Sequence, residues 1–154
     1  EVVRVETAAQ MDEALRALAP EADVVVMAAA VADFRPAVVA QDKLHRSEGA
    51  MRLELEPTPD ILAGLAQRRR PGQLLVGFAA ETDEVALRAA EKLRSKGVDL
   101  VVANDVRAEG AGFEGDTNAV VVIGPEGVIA EVPLASKAEV AAAVLDVVAR
   151  RLAG

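Results

Sequence analysis

The sequence predicts an α/β domain with a mostly parallel sheet and a C-terminal β-hairpin, on the basis of two patterns. Apolar runs of strand length alternate with segments whose apolar residues recur at helical spacing. The runs at 22–30, 73–79 and 98–103 are nearly uninterrupted, as expected of central parallel strands covered on both faces. Two shorter runs, 119–123 and 128–132, flank a Gly-Pro-Glu-Gly turn and predict the hairpin.

The first third of the chain supplies the elements around the first central strand. Residues 2–6 predict a short strand, and Thr7 with Gln10 has the pattern of a capping box. The helix that follows has an apolar stripe made of Met11, Ala14, Leu15 and Leu18. Residues 31–50 have no clear period and predict a long loop, whereas the alternation in 51–56 predicts an edge strand.

The remaining helices are marked by their capping residues. One is expected to begin near Pro59 or Asp60, and another to follow a cap at Thr82 or Asp83 and end at Gly97. A second long loop spans 104–118. Ser136 and Glu139 predict a capping box for the last helix, with inward positions at Val140, Val144, Val147 and Leu152.

Composition narrows the class of protein. The 154 residues suit a single domain, 1–154, and 52% of them are hydrophobic, which argues against disorder. A net charge of −8 disfavours nucleic-acid binding, and no apolar run approaches the roughly 20 residues that span a membrane. The absence of cysteine excludes disulfides, zinc–thiolate sites and a cysteine nucleophile, and leads us to expect a cytoplasmic protein.

A ligand site is expected at the carboxyl ends of the parallel strands, because open sheets of this kind bind ligands there. Polar or small residues follow apolar runs at four places: Ala28–Asp33, Thr58–Ile61, Phe78–Glu81 and Asn104–Asp105. The alanines leave room for a ligand against the backbone, although small residues also permit close helix packing. No Walker loop, G-x-G-x-x-G or H-E-x-x-H motif is present.

Several side chains near these ends suit an anionic nucleotide, and each has a structural alternative. Asp33 suits a Mg²⁺–nucleotide or a ribose hydroxyl, or else is solvated or caps a helix. Lys43 lies in a loop, and its ammonium group is suited to stabilising the negative charge that develops in a transition state. The alternative is that Lys43 is a solvated loop residue. Lys92 and Lys96 share a helix face and suit phosphates, or are surface lysines.

The other candidates are equally open on spacing alone. Phe78 suits base stacking or the core. Arg35 suits contact with a phosphate, or a surface ion pair with Asp33. The helix start at Pro59 and Asp60 suits an anion, or Asp60 is only a cap. His45, the one histidine, is interpreted as a loop residue.

Taken in order, the motifs are more specific than any of them alone. The series AAAVADFRP, DKL, PTPDIL, GFAAET, KLRSK, ANDV and GFEGDTNAV resembles bacterial phosphopantothenate–cysteine ligase over essentially the whole chain. That family is a CTP-dependent enzyme of coenzyme A biosynthesis, fused in most bacteria to a decarboxylase that carries FMN. The resemblance implies a Rossmann-like three-layer domain that joins 4′-phosphopantothenate to L-cysteine through an acyl-cytidylate.

The resemblance also implies roles for individual residues. Lys43 matches the loop lysine tied to acyl-cytidylate turnover, and Asp33 would contact the nucleotide, with a weak role toward its Mg²⁺. The matched nucleotide-binding positions are Ala28, Ala29, Ala30, Asp33, Lys43, Thr58, Pro59, Asp60, Ile61, Phe78, Lys92 and Lys96. Arg35, Asn104 and Asp105 are further candidate pocket residues. A homodimer is expected, with the hairpin as an interface element.

Two departures from the family pattern bear on function. The family loop reads lysine–x–lysine–lysine, whereas this chain has Lys43, Leu44, His45 and Arg46. The family's ligase half also opens with a strand, a glycine-rich turn and an asparagine loop, which we expect to be missing here. The alternative to a ligase is therefore a non-catalytic nucleotide-binding or scaffolding module, and an NAD-dependent oxidoreductase ranks last.

Overall fold

The computed structural model describes residues 1–40, 42–43, 51–81, 84–105 and 115–154, which contain seven strands, four α-helices and a short 3₁₀ helix at Ala19–Glu21. The strands are β1 (Val24–Met27), β2 (Phe34–Pro36), β3 (Leu55–Pro57), β4 (Leu74–Glu81), β5 (Leu100–Asp105), β6 (Thr117–Gly124) and β7 (Gly127–Ser136). The helices are α1 (Ala8–Leu18), α2 (Ile61–Arg68), α3 (Val85–Lys96) and α4 (Lys137–Ala153). None of these four helices is long and apolar enough to cross a membrane.

The main sheet has five strands in the order β1-β4-β5-β6-β7. The strands β1, β4 and β5 pair in parallel, and β6 and β7 add antiparallel strands at one side. The predicted α/β class and its terminal hairpin are therefore confirmed, with parallel pairing confined to the first part of the sheet.

Helices cover both faces of this sheet, which confirms the three-layer arrangement. Successive strand residues point to opposite faces, so neighbours such as Leu75 and Val76 enter different cores. The first core combines Leu75 and Val101 with apolar residues of α1, α2 and α3. The second combines Val76 with inward residues of α4, including the predicted Val140, Val144 and Val147.

The strands β2 and β3 form a separate antiparallel ribbon. The prediction that 31–50 is entirely loop is thus wrong at Phe34–Pro36, which pairs with Leu55–Pro57. The predicted edge strand over 51–56 is present only from Leu55 onward. The strand at Phe34–Pro36 was missed because it depends on pairing with a distant segment, which a local pattern does not reveal. The strand over 51–54 is absent because alternation alone does not supply a partner strand.

Two predictions at the ends of the chain are wrong. Residues 1–5 form no strand, and Val2 is 84% exposed, because an alternating pattern does not supply a neighbouring strand to pair with. Leu152 is 47% exposed, although it follows the buried Val148 by one turn, because the core ends before the last turn of α4.

The helix boundaries follow the predicted signals closely. Both capping boxes are confirmed, at Thr7 for α1 and at Ser136 for α4. Asp60 caps α2 through a hydrogen bond from the Ala63 amide, and α3 ends at Gly97, whose φ of 68° suits glycine. The residue before α3 is Glu84, while the expected caps Thr82 and Asp83 lie outside the described residues.

Two consecutive arginines after α2 pair with aspartates at the amino edge of the sheet. Arg70 contacts the exposed Asp23 at 2.5 Å, and Arg69 contacts Asp99 at 2.5 Å. Asp99 differs from Asp23 because its Oδ2 also accepts a hydrogen bond, 2.8 Å long, from the amide of the fully buried Leu75. This carboxylate therefore satisfies a backbone donor as well as an arginine.

We predict that Asp99→Ala lowers the free energy of unfolding by about 1–3 kcal/mol, because the Leu75 amide loses an acceptor. The matched control Asp23→Ala removes only an exposed ion pair and should cost about 0–1 kcal/mol. Urea unfolding followed by circular dichroism measures both. Equal losses in the two variants would show that the Leu75 hydrogen bond contributes nothing beyond the ion pair.

Candidate functional site

The carboxyl ends of the parallel strands meet at one edge of the sheet. Ala80 pairs with Asn104 and Glu81 with Asp105, so β4 and β5 end side by side. Met27, the last residue of β1, pairs with Gly77, which places the start of Ala28–Asp33 beside the second half of β4. Three of the four predicted segments are thus adjacent.

The fourth segment is attached through Thr58. Its hydroxyl donates to the carbonyl oxygen of Ala32 at 2.5 Å, and its amide donates to that of Asp33 at 2.9 Å. These two hydrogen bonds tie the turn before α2 to the chain that leaves β1. Thr58 therefore joins two predicted nucleotide-binding segments that are 26 residues apart.

A cavity of about 730 Å³ opens where these segments meet. The predicted residues in its wall are Ala29, Ala30, Arg35, Thr58 and Pro59. Its volume lies within the range of about 300–1,000 Å³ that is usual for small-molecule sites. A smaller apolar cavity of about 430 Å³, which includes Ala28 in its wall, continues along β1.

A second group of predicted residues lies outside the wall of the larger cavity. Lys92 donates from Nζ to the backbone oxygen of Phe78 at 2.6 Å, and Lys96 Nζ lies 2.5 Å from Oδ2 of Asp60. The two groups are connected along the chain, because Asp60 directly follows Pro59. The candidate site therefore consists of a cavity and a neighbouring pair of lysines.

The Asp60 carboxylate is held by both of its oxygens. Oδ1 accepts from the Ala63 amide at 3.1 Å, and Oδ2 receives Lys96. Partial burial raises the pKa of Asp60, but hydrogen bonds from Lys96 and Ala63 and the charges of Lys96 and Lys92 outweigh it. The resulting pKa is lower than that of an ordinary aspartate, so Asp60 is ionised at neutral pH.

Arg35 is paired across the ribbon. Its Nε and a terminal nitrogen approach Oε1 of Glu56 at 2.7 and 2.6 Å. Glu56 also lines the cavity and was not among the predicted residues. The register of β2 and β3 places it opposite Arg35, so recognition of the ribbon would have identified it. The start of α1, including Thr7, is a second part of the wall that was missed.

Other predicted residues take no part in these contacts. Ile61 is 3% exposed and its side chain belongs to the core. Asn104 is half-buried within β5, and Asp105 is the last residue of that strand. Asp33 and Lys43 are exposed and have no side-chain partner among the described residues. His45 and Arg46 lie outside those residues.

The described part of the chain contains no cluster of three or more histidines, aspartates or glutamates suited to a metal ion. Asp33 is instead a single exposed carboxylate next to the cavity wall formed by Ala29 and Ala30. Mg²⁺ is commonly held by one or two carboxylates together with substrate phosphates and water. The residues present therefore fit a metal that arrives with a nucleotide.

Comparison with known proteins gives consistent matches. The family model described as the DNA/pantothenate metabolism flavoprotein C-terminal domain matches residues 1–152. The coenzyme A biosynthesis bifunctional protein CoaBC of Bacillus subtilis is 44% identical over 149 residues, covering 97% of this chain and 36% of that protein. CoaBC of Mycobacterium tuberculosis is also 44% identical, over 164 residues, covering 100% of this chain and 39% of the relative.

Solved structures show the same fold. A crystal structure of the C-terminal domain of CoaBC matches with a TM-score of 0.75 and 38% identity, covering 95% of this chain and 63% of that one. A Cab2 variant in complex with phosphopantothenate-cysteine matches with a TM-score of 0.75 at 24% identity, covering 97% and 52%. Of the curated relatives named above, the chain spans little more than a third of the length, 36% and 39%.

The match of the family model to nearly the whole chain, with the identity to CoaBC proteins, shows that this chain belongs to the DNA/pantothenate metabolism flavoprotein C-terminal domain family.

Proposed function

We propose that this chain is the CTP-binding part of a ligase that joins 4′-phosphopantothenate to L-cysteine in coenzyme A biosynthesis. Family membership over residues 1–152 supports the pathway, and the relatives named above are coenzyme A biosynthesis proteins. The observation that carries the nucleotide role is the cavity beside a pair of lysines. The turn at Thr58–Asp60 joins the cavity wall to Lys96, and Lys92 lies one turn before Lys96 on α3. Because the chain spans 36% of its Bacillus relative, the complete activity is part of the proposal.

The chemistry explains why a nucleotide is needed. A carboxylate is a poor electrophile, because expelling its oxygen as oxide or hydroxide is unfavourable. In the proposed first step, a carboxylate oxygen of 4′-phosphopantothenate attacks the α-phosphorus of CTP and releases pyrophosphate. In the second step, the amine of cysteine attacks the acyl carbon of the acyl-cytidylate, CMP leaves, and the amine loses a proton as the amide forms.

The cavity group is suited to the nucleoside. Ala28, Ala29 and Ala30 follow β1 directly, are exposed and carry only methyl side chains, so a base can approach their backbone closely. Backbone N–H and C=O groups distinguish the edges of nucleobases without any longer side chain. Thr58 ties the chain after these alanines, at Ala32 and Asp33, to the turn before α2, so both sides of the cavity wall are linked.

The lysine group is suited to the phosphates. Lys92 is one turn before Lys96 on α3, so both ammonium groups are on the same face of that helix. Phe78 holds Lys92 through its carbonyl oxygen, so the hydrogen bond of this lysine goes to a neutral group and not to an acid. Asp33 is the residue we propose toward Mg²⁺, which when bound with the nucleotide would offset phosphate charge.

Lys43 is the proposed catalytic residue. It lies seven residues after Pro36, the end of β2, on the chain that leaves the ribbon beside the cavity, and it is exposed. An ammonium group there can stabilise the negative charge that develops when cysteine attacks the acyl carbon. This role concerns the second step, so loss of Lys43 should leave the first step intact.

We predict that Lys92→Ala and Lys96→Ala each raise the dissociation constant for CTP about tenfold or more, because each removes a charge-assisted contact to phosphate. Isothermal titration calorimetry with CTP, ATP and UTP measures affinity and selectivity together. Arg94→Ala, an exposed cation on the same helix, is the matched control and should bind as the parent does. Unchanged affinity in the lysine variants, or no preference for CTP, would contradict the proposed site.

Lys43→Gln in the full-length protein separates the two steps. We expect pyrophosphate release to continue while amide formation falls by about a hundredfold, as when one oxyanion-stabilising donor is removed. Quenched-flow measurement of pyrophosphate and product follows both steps, and Lys43→Arg should recover part of the loss. Normal product turnover in Lys43→Gln would remove Lys43 from the mechanism, and CTP binding without pyrophosphate release in the parent would favour the non-catalytic module.

A further inference from the structure

The two lysines of α3 have partners of different charge. Lys92 donates to the neutral carbonyl oxygen of Phe78, whereas Lys96 is paired with the ionised carboxylate of Asp60. Both contacts are short, at 2.6 and 2.5 Å between the nitrogen and oxygen atoms. Lys96 is therefore paired directly with an acid, whereas Lys92 has a neutral hydrogen-bond partner and acts on Asp60 only through the attraction between their charges.

The pair between Lys96 and Asp60 is accessible enough to exchange partners. The side chain of Lys96 is 31% exposed and that of Asp60 is 48% exposed. Ion pairs at this level of exposure contribute little to stability because water screens them. Asp60 does not depend on Lys96 for its position, since its other oxygen caps α2 through the Ala63 amide. Lys96 can leave while Asp60 stays.

We propose that Asp60 is an internal counter-anion that holds Lys96 in place when the nucleotide site is empty and competes with phosphate for it. The proposal rests on the nucleotide-binding function proposed above and concerns the same site. A phosphate that reaches Lys96 either displaces the carboxylate or shares the ammonium with it. In both cases the Asp60 carboxylate remains beside the phosphate, and the repulsion between these two negative groups lowers the affinity for the ligand.

The exchange has two consequences for the ligand. The carboxylate that remains repels a ligand in proportion to the charge of that ligand, so it weakens a bound triphosphate more than a monophosphate. When the charged group leaves, Asp60 recovers Lys96 and the ion pair re-forms, which assists release. Asp60 is therefore a positioning residue for Lys96, and it acts without contacting the reacting atoms.

Asp60→Asn tests the proposal without removing the helix cap, because asparagine caps helices as well as aspartate does. We expect dissociation constants for CTP and for inorganic triphosphate to fall about threefold to fivefold, in line with the strength of an exposed ion pair. The gain should shrink when Asp60→Asn is combined with Lys96→Ala. Thermal unfolding of each variant checks that α2 remains folded.

Glu91→Gln is the matched control, because Glu91 is an exposed acid on the same helix whose partner is Arg88. It removes the same charge from the protein and should change both dissociation constants less than twofold. Weaker binding of triphosphate by Asp60→Asn, or equal tightening in Glu91→Gln, would overturn the proposal. If triphosphate binding tightens but CTP is not preferred over other nucleotides, the counter-anion stands and the proposed function fails.

Discussion

The parallel pairing of β1, β4 and β5 is the constraint on which the rest of the structure depends. Strands that run side by side in one direction deliver the residues that follow them to the same edge of the sheet. The register is fixed by residues buried on both faces, such as Leu75 and Val76, because a slip of one residue would send each to the wrong core. Ala80 and Asn104 are neighbours at the carboxyl edge for this reason.

The contact between Asp60 and Lys96 depends on close packing of α2 against the sheet. Gly77 in β4 faces Leu62, and a β-carbon at Gly77 would lie only 2.9 Å from the Leu62 Cδ2 atom. The missing side chain therefore lets α2 approach the strand. That position of α2 brings its cap, Asp60, within reach of Lys96 on the neighbouring helix. The chemistry of the site thus depends on a packing contact within the core.

Positive side chains at the proposed site are partly neutralised by acids of the same domain. The chain carries a net charge of −8, yet three cations, Arg35, Lys92 and Lys96, lie at this site. Two of them are offset by acids of the same domain, since Arg35 pairs with Glu56 and Lys96 pairs with Asp60. Lys92 alone of these three has a neutral partner. Positive charge is therefore partly masked in the free protein, and an anionic ligand competes for it.

Local patterns predicted the elements that depend on local interactions. The central apolar runs, the hairpin and both capping boxes were visible in the sequence, because burial on two faces and helix capping involve neighbouring residues. The pairing of Arg35 with Glu56 and of Lys96 with Asp60 joins residues 21 and 36 positions apart, so no local pattern could reveal it. The predicted strand at 2–6 failed for the related reason that a strand needs a partner.

The sequence predicted a site at the strand ends but not the division of the proposed site into two parts. The positions Ala28–Asp33 and Thr58–Ile61 could be selected from their places after apolar runs. Their connection by the hydroxyl of Thr58 could be seen only in the structure.

The most direct test of a nucleotide site at the strand ends is the backbone amide NMR spectrum of this 16.0 kDa chain during titration with CTP. We expect the largest shifts in 28–33, 58–61 and 78–81, whereas shifts concentrated in α4 and β7 would contradict a nucleotide site at the strand ends.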